Sequence, residues 1–281
     1  MINYFKKIKK KYYALLLLFL LILFLPSKNI KNNSIAVINI EGVILESKKI
    51  VKALDKFSND DNIKAIVLRI NSPGGSVAPS QEIFHKVNNI KSSKVKPIIT
   101  SVGNVAASGG YYIAIGSDVI VANSGSIVGS IGVIMSYPIA EKFLDNIGIN
   151  FNTYKSGEFK DSGSPYRQST ESDDKYFNEV VSDLHAQFTK EVSFHRNIDL
   201  KYLNNYSKGQ IFTGNKAYNI GLIDTVGTFE DALNISKNLA NISGDLDIVY
   251  PDYEKYSFIN EFISFYNLTF SNYLLPMFLM N

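Results

Sequence analysis

The chain has 281 residues, of which 46% are apolar and 20% charged; this is the composition of a globular protein with a sizeable core, built as one large or two small domains, and not of a disordered chain. It contains no cysteine, which excludes thiol nucleophiles, thiolate metal sites and disulfides. The net charge is +3, but Lys6, Lys7, Lys9, Lys10 and Lys11 open the chain with no acid among them and the remainder is slightly acidic, so no basic face for nucleic acid is expected.

After the lysines and Tyr12-Tyr13, residues Ala14 to Leu25 are uninterruptedly apolar and end at Pro26. That run of about 12 residues is short for a spanning helix and suits a signal sequence. Pro26-Ser27-Lys28-Asn29-Ile30 holds no small-x-small cleavage pattern, so an uncleaved signal anchor is preferred to a removed signal peptide. Ile2 to Phe5 and the lysine stems extend the span, and the positive flank places everything after Pro26 outside the cytoplasm.

Beyond a polar linker, Ile35 to Ile40 reads as a strand with a turn at Glu41-Gly42, and Lys48 to Phe57 as an amphipathic helix. Ile63 to Ile70 is the nearly continuous apolar strand of a parallel sheet. It runs into a glycine turn, Asn71-Ser72-Pro73-Gly74-Gly75-Ser76, followed by a helix over Ala78 to Asn89. Pro97 to Val102 is the next strand, Ala106 to Ile115 a helix and Asp118 to Ala122 a strand. Alternating strands and helices imply βαβ units. A Gly/Ser-rich stretch, Asn123 to Gly132, breaks the alternation. Ile139 to Ile147 is expected to be helical, Asn150 to Tyr154 a strand, Lys155 to Arg167 a polar loop and Asp173 to Phe194 a long helix. Lys216 to Asn219 and Phe229 to Leu239 read as helical, and Leu246 to Tyr250 as a strand. The apolar tail, Ile259 to Met280, suits a docking helix, a membrane-surface segment or a second span.

Chemistry is expected at the two strand ends that carry glycines, because ligand crevices in open α/β sheets form there. In Ala107-Ser108-Gly109-Gly110, Ser108 stands between a strand and a helix. Such a serine either caps the helix or is a nucleophile beside free backbone N–H donors. A turn at Pro73-Gly74-Gly75 with the Gly109 N–H offers an oxyanion hole; a plain tight turn is the other reading, and no Gly-Lys-Ser/Thr follows to make a phosphate loop. The histidines, His85, His185 and His195, fall on or near helices and not in the glycine loops, which weakens a Ser-His-Asp triad. Lysine is the remaining base, and the polar loop offers Lys155 and Lys160, either of which also suits a plain surface role.

Taken together, Asn71-Ser72-Pro73-Gly74-Gly75, Ala107-Ser108-Gly109-Gly110-Tyr111-Tyr112, Gly129-Ser130-Ile131-Gly132, Lys155-Ser156-Gly157-x-x-Lys160-Asp161 and Ser164-Pro165-x-Arg167 resemble the signal peptide peptidase A family in its short, single-repeat form. Ile211-Phe212-Thr213-Gly214 and Gly221-Leu222-Ile223-Asp224 extend the resemblance to about residues 35 to 235. It implies an α/β fold of Clp/crotonase type with repeated β-β-α units and an N-terminal membrane anchor helix. The domains implied are 1–33 (lysine cluster, anchor and linker), 34–250 (protease) and 251–281 (tail). Position by position, it implies Ser108 as nucleophile, Lys160 as general base, Ser130 as the serine that orients the lysine, and Gly75 and Gly109 as the oxyanion hole. No cofactor or metal is implied. The implied partners are apolar peptides such as cleaved signal peptides, membrane lipid around the anchor, and copies of the same chain in a ring. The implied setting is the cell (inner) membrane, spanned once, with the catalytic domain on the extracytoplasmic side. Two rivals stand beside this reading: a crotonase-like acyl-CoA hydratase or isomerase, and a non-catalytic peptide-binding scaffold in the membrane.

Overall fold

The computed structural model describes residues 33–251 and the short strand Met277–Leu279. The expected anchor over residues 14–25 lies outside the described residues, as does the tail apart from that strand. Among the described residues, no helix is long and apolar enough to cross a membrane.

A mainly parallel sheet forms the framework. β1 (Ser34–Ile44), β2 (Ile63–Ser76) and β3 (Ile98–Ala107) lie side by side in parallel, connected by α1 (Lys48–Ser58) and α2 (Val77–Ser92). β3 leads into α3 (Gly109–Ala114), and then β4 (Val119–Ala122) and β5 (Ile127–Gly129) both return parallel to β3. The rest of the chain supplies α4 (Glu141–Asn146), a 3-10 turn at Glu158–Asp161, α5 (Glu171–Arg196) and α6 (Leu200–Leu203). It continues through β6 (Ile211–Thr213), α7 (Gly214–Asn219), β7 (Thr225–Val226), α8 (Phe229–Leu239), β8 (Asp247–Val249) and β9 (Met277–Leu279). The strand order is β6-β5-β3-β2-β1-β8, with β4 beside β3 and β7, and β9 beside β2.

The apolar runs explain the layers. Alternate residues Ile35, Val37, Ala65, Val67, Ile99 and Val121 form one face and pack on Ala232 of α8 and on Ile242. Their neighbours Ile38, Ile66 and Leu68 are also fully buried, so both faces of the sheet are covered, as continuous apolar strands require. Phe84 of α2, Tyr112 of α3 and Phe188 of α5 meet ring to ring at 4.9 Å in each pair, which ties three helices into one apolar cluster. α3 is buried along its whole length, and the Tyr111 hydroxyl donates to the carbonyl of Leu222 at 2.7 Å.

Three sequence expectations need correction. Neither glycine turn is a turn: β1 runs on through Glu41-Gly42 and β2 through Pro73-Gly74-Gly75, with Val43 paired to Gly74 and Ile44 to Gly75. A register shift between Glu41 and Val43, with Gly42 at φ +67°, absorbs the bend while pairing continues. Likewise β3 passes Val102 and reaches Ala107, because its second half pairs with β5, leaving α3 shorter than expected. The strand expected at Asn150 to Tyr154 does not form; residues 145–160 are exposed and have no neighbouring strand to complete a ladder. Elsewhere the elements fall close to expectation. α8 spans Phe229–Leu239 as read, started by a capping box between Thr228 and Asp231.

Candidate active site

Ser108 sits where β3 ends and α3 begins. Its backbone adopts φ 51° and ψ −118°, a region that non-glycine residues occupy only when their surroundings force it. Two hydrogen bonds hold it there: its N–H donates to the Gly129 carbonyl, and its own carbonyl accepts from Tyr112 N–H, both at 2.8 Å. A capping serine would accept a backbone N–H at the helix start. Ser108 does not: its side chain makes no capping bond, and its Oγ is buried without a hydrogen-bond partner. Among the described residues it is the sole side-chain polar atom in that condition. A buried, unpartnered hydroxyl costs about 1–3 kcal/mol, so its retention points to chemistry and not to stability.

The neighbouring glycines are needed for close approach. A Cβ on Gly75 would lie 2.1 Å from the Ile44 carbonyl oxygen, and one on Gly110 2.9 Å from the Ser72 carbonyl oxygen. Small residues thus let α3 settle on β2 and let β1 hug the Gly74-Gly75 segment. Ser130 is reached through β5. Ala107 pairs with Gly129, so Ser108 and Ser130 are the next residues on two adjacent strands. Ser130 is itself at φ 52° and buried, with its N–H donating to the Gln210 carbonyl at 2.7 Å. The sheet therefore gathers Ser108, Gly109 and Ser130 at one strand end, and Gly75 lies on the adjoining strand.

Lys160 is not brought to that point. It is exposed on the 3-10 turn, and Ser108 Oγ has no partner, so the two are not hydrogen-bonded. The acidic neighbour of Lys160, Asp161, is occupied elsewhere. Arg167 grips Asp161 through both oxygens at 2.9 and 3.0 Å and also reaches Asp173 at 2.6 Å. Lys155 adds a bond to Asp161 at 2.7 Å, and Ser162 donates to Asp173. The Arg167 and Lys155 hydrogen bonds hold the Asp161 carboxyl far below the usual carboxylate range. Arg167, Ser162 and Thr170 do the same for Asp173. Lys155 is thereby committed to the loop's own scaffold, whereas Lys160, among the described residues, joins no ion pair or side-chain hydrogen bond.

The histidines stay apart from Ser108. His195 packs edge-on against Phe84 at 5.2 Å, and burial, with Lys91 and Arg196 nearby, lowers its pKa. His185 bonds through Nε2 to the Ser207 carbonyl at 2.6 Å. It also lines a cleft with Ser130, Ile134, Val181 and Lys208. Sequence reasoning did not single out that cleft, because α5 and the turn before β6 meet there from distant parts of the chain.

The geometry is that of an α/β protein built on a bent, mainly parallel sheet, with a serine lodged at a strained strand-to-helix junction. The sequence profile of the Clp protease family matches residues 28–123, and that of peptidase family S49 matches residues 90–243, over half of the chain. A protein of Synechocystis sp. with a protease name is 38% identical over 222 residues, covering 78% of this chain and 79% of that one. An Enterococcus faecium protein named as a signal peptide peptidase SppA is 34% identical, covering 79% and 68%. Protease 4 of Haemophilus influenzae is 33% identical over 74% of this chain and 35% of its own length. The chain belongs to peptidase family S49 and is a serine peptidase.

Proposed function

We propose that this peptidase is a membrane-anchored Ser-Lys endopeptidase that degrades cleaved signal peptides or other short apolar peptides outside the cytoplasm. The observation that carries the reading is the Ser108 hydroxyl, buried and unpartnered at a strained junction. Neutral Lys160 takes the Ser108 proton as Oγ attacks the peptide carbonyl carbon. The N–H groups of Gly75 and Gly109 hold the oxyanion, and Ser130 orients the lysine. As the C–N bond breaks, Lys160 returns the proton to the leaving amine, and water then releases the acyl group and restores Ser108. One oxyanion donor contributes about 10²–10³ in rate. The chain's likeness to a protein named as a signal peptide peptidase supports the substrate class.

Lys160 and Ser108 do not meet within one chain, and this favours a base delivered by a neighbouring subunit in a ring. The exposed segment around Lys160 supports the same reading, because it carries Phe143, Ile147, Tyr154 and Phe159 open to solvent. The lysine cluster and apolar run at the N-terminus support the anchor. The succession of bent strand then helix in β1-α1, β2-α2 and β3-α3 suits repeated β-β-α units of Clp/crotonase type. It suits a protease domain over 34–250 as well.

Ser108→Ala and Lys160→Ala each abolish peptide hydrolysis, whereas Lys155→Ala keeps most of it. A dead Lys155 variant beside an active Lys160 variant overturns the assignment of the base. Hydrolysis rises toward alkaline pH, since the base works only when neutral; a profile that falls above neutrality contradicts a lysine. A serine-directed fluorophosphonate that labels Ser108 sets this reading apart from an idle scaffold, and turnover of a CoA thioester would favour the hydratase or isomerase.

A further inference from the structure

Lys160 sits on a loop whose neighbouring charges are tied down. It lies exposed in the 3-10 turn Glu158–Asp161, with its backbone N–H donating to the Gly157 carbonyl at 3.3 Å. The next residue, Asp161, is held by the Arg167 fork, Nε to Oδ2 at 3.0 Å and Nη2 to Oδ1 at 2.9 Å. The same guanidinium donates to both oxygens of Asp173, at 2.6 and 3.2 Å, and Asp173 is buried in the first turn of α5. Pro165, two residues before Arg167, accepts from the Ala140 N–H at the start of α4 at 2.7 Å. Arg167 thus joins the lysine turn to a long helix, and a planar fork fixes direction as well as distance.

Arg167 also sets the charge beside Lys160. The loop carries Lys155, Glu158 and Asp161, and the start of α5 carries Glu171, Asp173, Asp174 and Lys175. α4, joined through Pro165, adds Glu141, Lys142 and Asp145. Acids outnumber bases here even with Arg167 counted. Without the guanidinium, Asp161 keeps Lys155 at 2.7 Å as its cation, and the buried Asp173 loses the cation that pairs with it. Unbalanced negative charge holds a nearby lysine in its ammonium form, which accepts no proton. On the serine side, the cleft beside Ser130 carries His185 and Lys208, which none of the changes below alters.

We propose that Arg167 is a positioning residue of this peptidase: it fixes the turn that presents Lys160 and balances the carboxylate next to it, so that the lysine is delivered aimed and able to take a proton. The proposal rests on Lys160 being the base.

The test measures hydrolysis of a quenched fluorogenic apolar peptide by the full chain in detergent, across neutral and alkaline pH. Arg167→Met is expected to lower kcat about 100-fold with little change in KM, and to move the rising limb of the pH profile about one unit higher. Arg167→Met combined with Asp161→Asn restores the charge balance without the fork; its limb is expected back at the wild-type position while kcat stays low. Arg167→Lys keeps the charge but not the fork, and is expected to hold the wild-type limb with an intermediate kcat. Asp161→Asn alone retains Arg167 and removes an acid, so its limb is expected at lower pH; this variant decides the matter should Arg167→Met fail to fold. A limb that stays in place in Arg167→Met or in Asp161→Asn overturns the proposal and leaves Arg167 a scaffold residue, as does a wild-type kcat in Arg167→Met. Lys160→Ala separates the two levels. If it is inactive beside an unmoved limb, the role of Arg167 alone falls; if it hydrolyses the peptide with the wild-type profile, Lys160 is not the base and the proposal falls with it.

Discussion

At Gly75 a single added carbon tests fold and site together. Its Cβ would stand 2.1 Å from the Ile44 oxygen and 2.5 Å from the Ile44 nitrogen, both backbone atoms fixed in β1, so the strands must part. Gly75→Ala is expected to cost about 1–3 kcal/mol in urea unfolding and to lower hydrolysis beyond what that loss explains, because the Gly75 N–H moves with the strand. Gly42, at φ +67° with nothing within 4 Å of its Cβ position, is the control; Gly42→Ala is expected to cost about 1 kcal/mol. Equal costs would mean that β1 does not constrain Gly75. His195 gives a second residue-scale test. Its folded-state pKa is depressed, first by burial and then by Lys91 and Arg196, so the fold favours neutral imidazole. That contribution is complete above the unfolded value, about 6.5, and is lost as pH falls below it toward the folded value. His195→Phe, which keeps a ring against Phe84, is expected to flatten the decline in unfolding midpoint below that pH. An unchanged slope assigns the decline to other groups. The serine junction was legible in the sequence because strand, small residues and glycines stand together there. Its strained backbone and the missing bond to Oγ were not, since both depend on β5 and β2 closing around it.

The loop and the start of α5 form one latch at the scale of elements. Thr170 caps α5 and, with Asp173, completes a capping box, while Arg167 ties that same Asp173 to Asp161. Thr170→Ala is expected to cost about 1 kcal/mol. Arg167→Met leaves the buried Asp173 without its cation and is expected to speed hydrogen exchange over residues 158–175; unchanged exchange would show that the latch holds without arginine. Both carboxyls have depressed folded-state values, so the latch is intact above the unfolded aspartate value of about 3.9 and weakens as pH falls below it. At this scale the sequence was most readable where apolar period and capping agree, as in α8 and the central strands. It misled where glycine suggested a turn. Glycine permits a bend but does not end a ladder, and the partner strand that keeps β2 paired through Gly74-Gly75 lies more than 25 residues earlier, at Val43 and Ile44. The expected strand at 150–154 failed for the opposite reason: β-prone residues form no strand without an edge to join.

For the whole molecule, the issue is why one chain carries both halves of the proposed dyad yet does not join them. Ser108 is fully buried in the sheet domain, while Lys160 belongs to a segment exposed throughout residues 145–160. Within that segment Ile147 is 55% exposed and Tyr154 96%, apolar area that a second copy would cover as it delivers its lysine. Two dead chains distinguish delivery by a neighbour from rearrangement within one chain. Ser108→Ala retains Lys160, and Lys160→Ala retains Ser108. Co-expressed and purified as one assembly, they form some junctions where an intact serine faces an intact lysine. With random placement in a closed ring, about a quarter of the sites are of this kind. Recovery of about a quarter of the wild-type rate is therefore expected from two variants that are each inactive alone. Tyr154→Glu in both chains, which places charge on the exposed segment, is expected to remove that recovery and to shift the assembly to smaller species in sedimentation. A mixture that sediments as a ring but stays inactive would show instead that Lys160 serves the Ser108 of its own chain, and the loop would then have to fold back across the sheet domain.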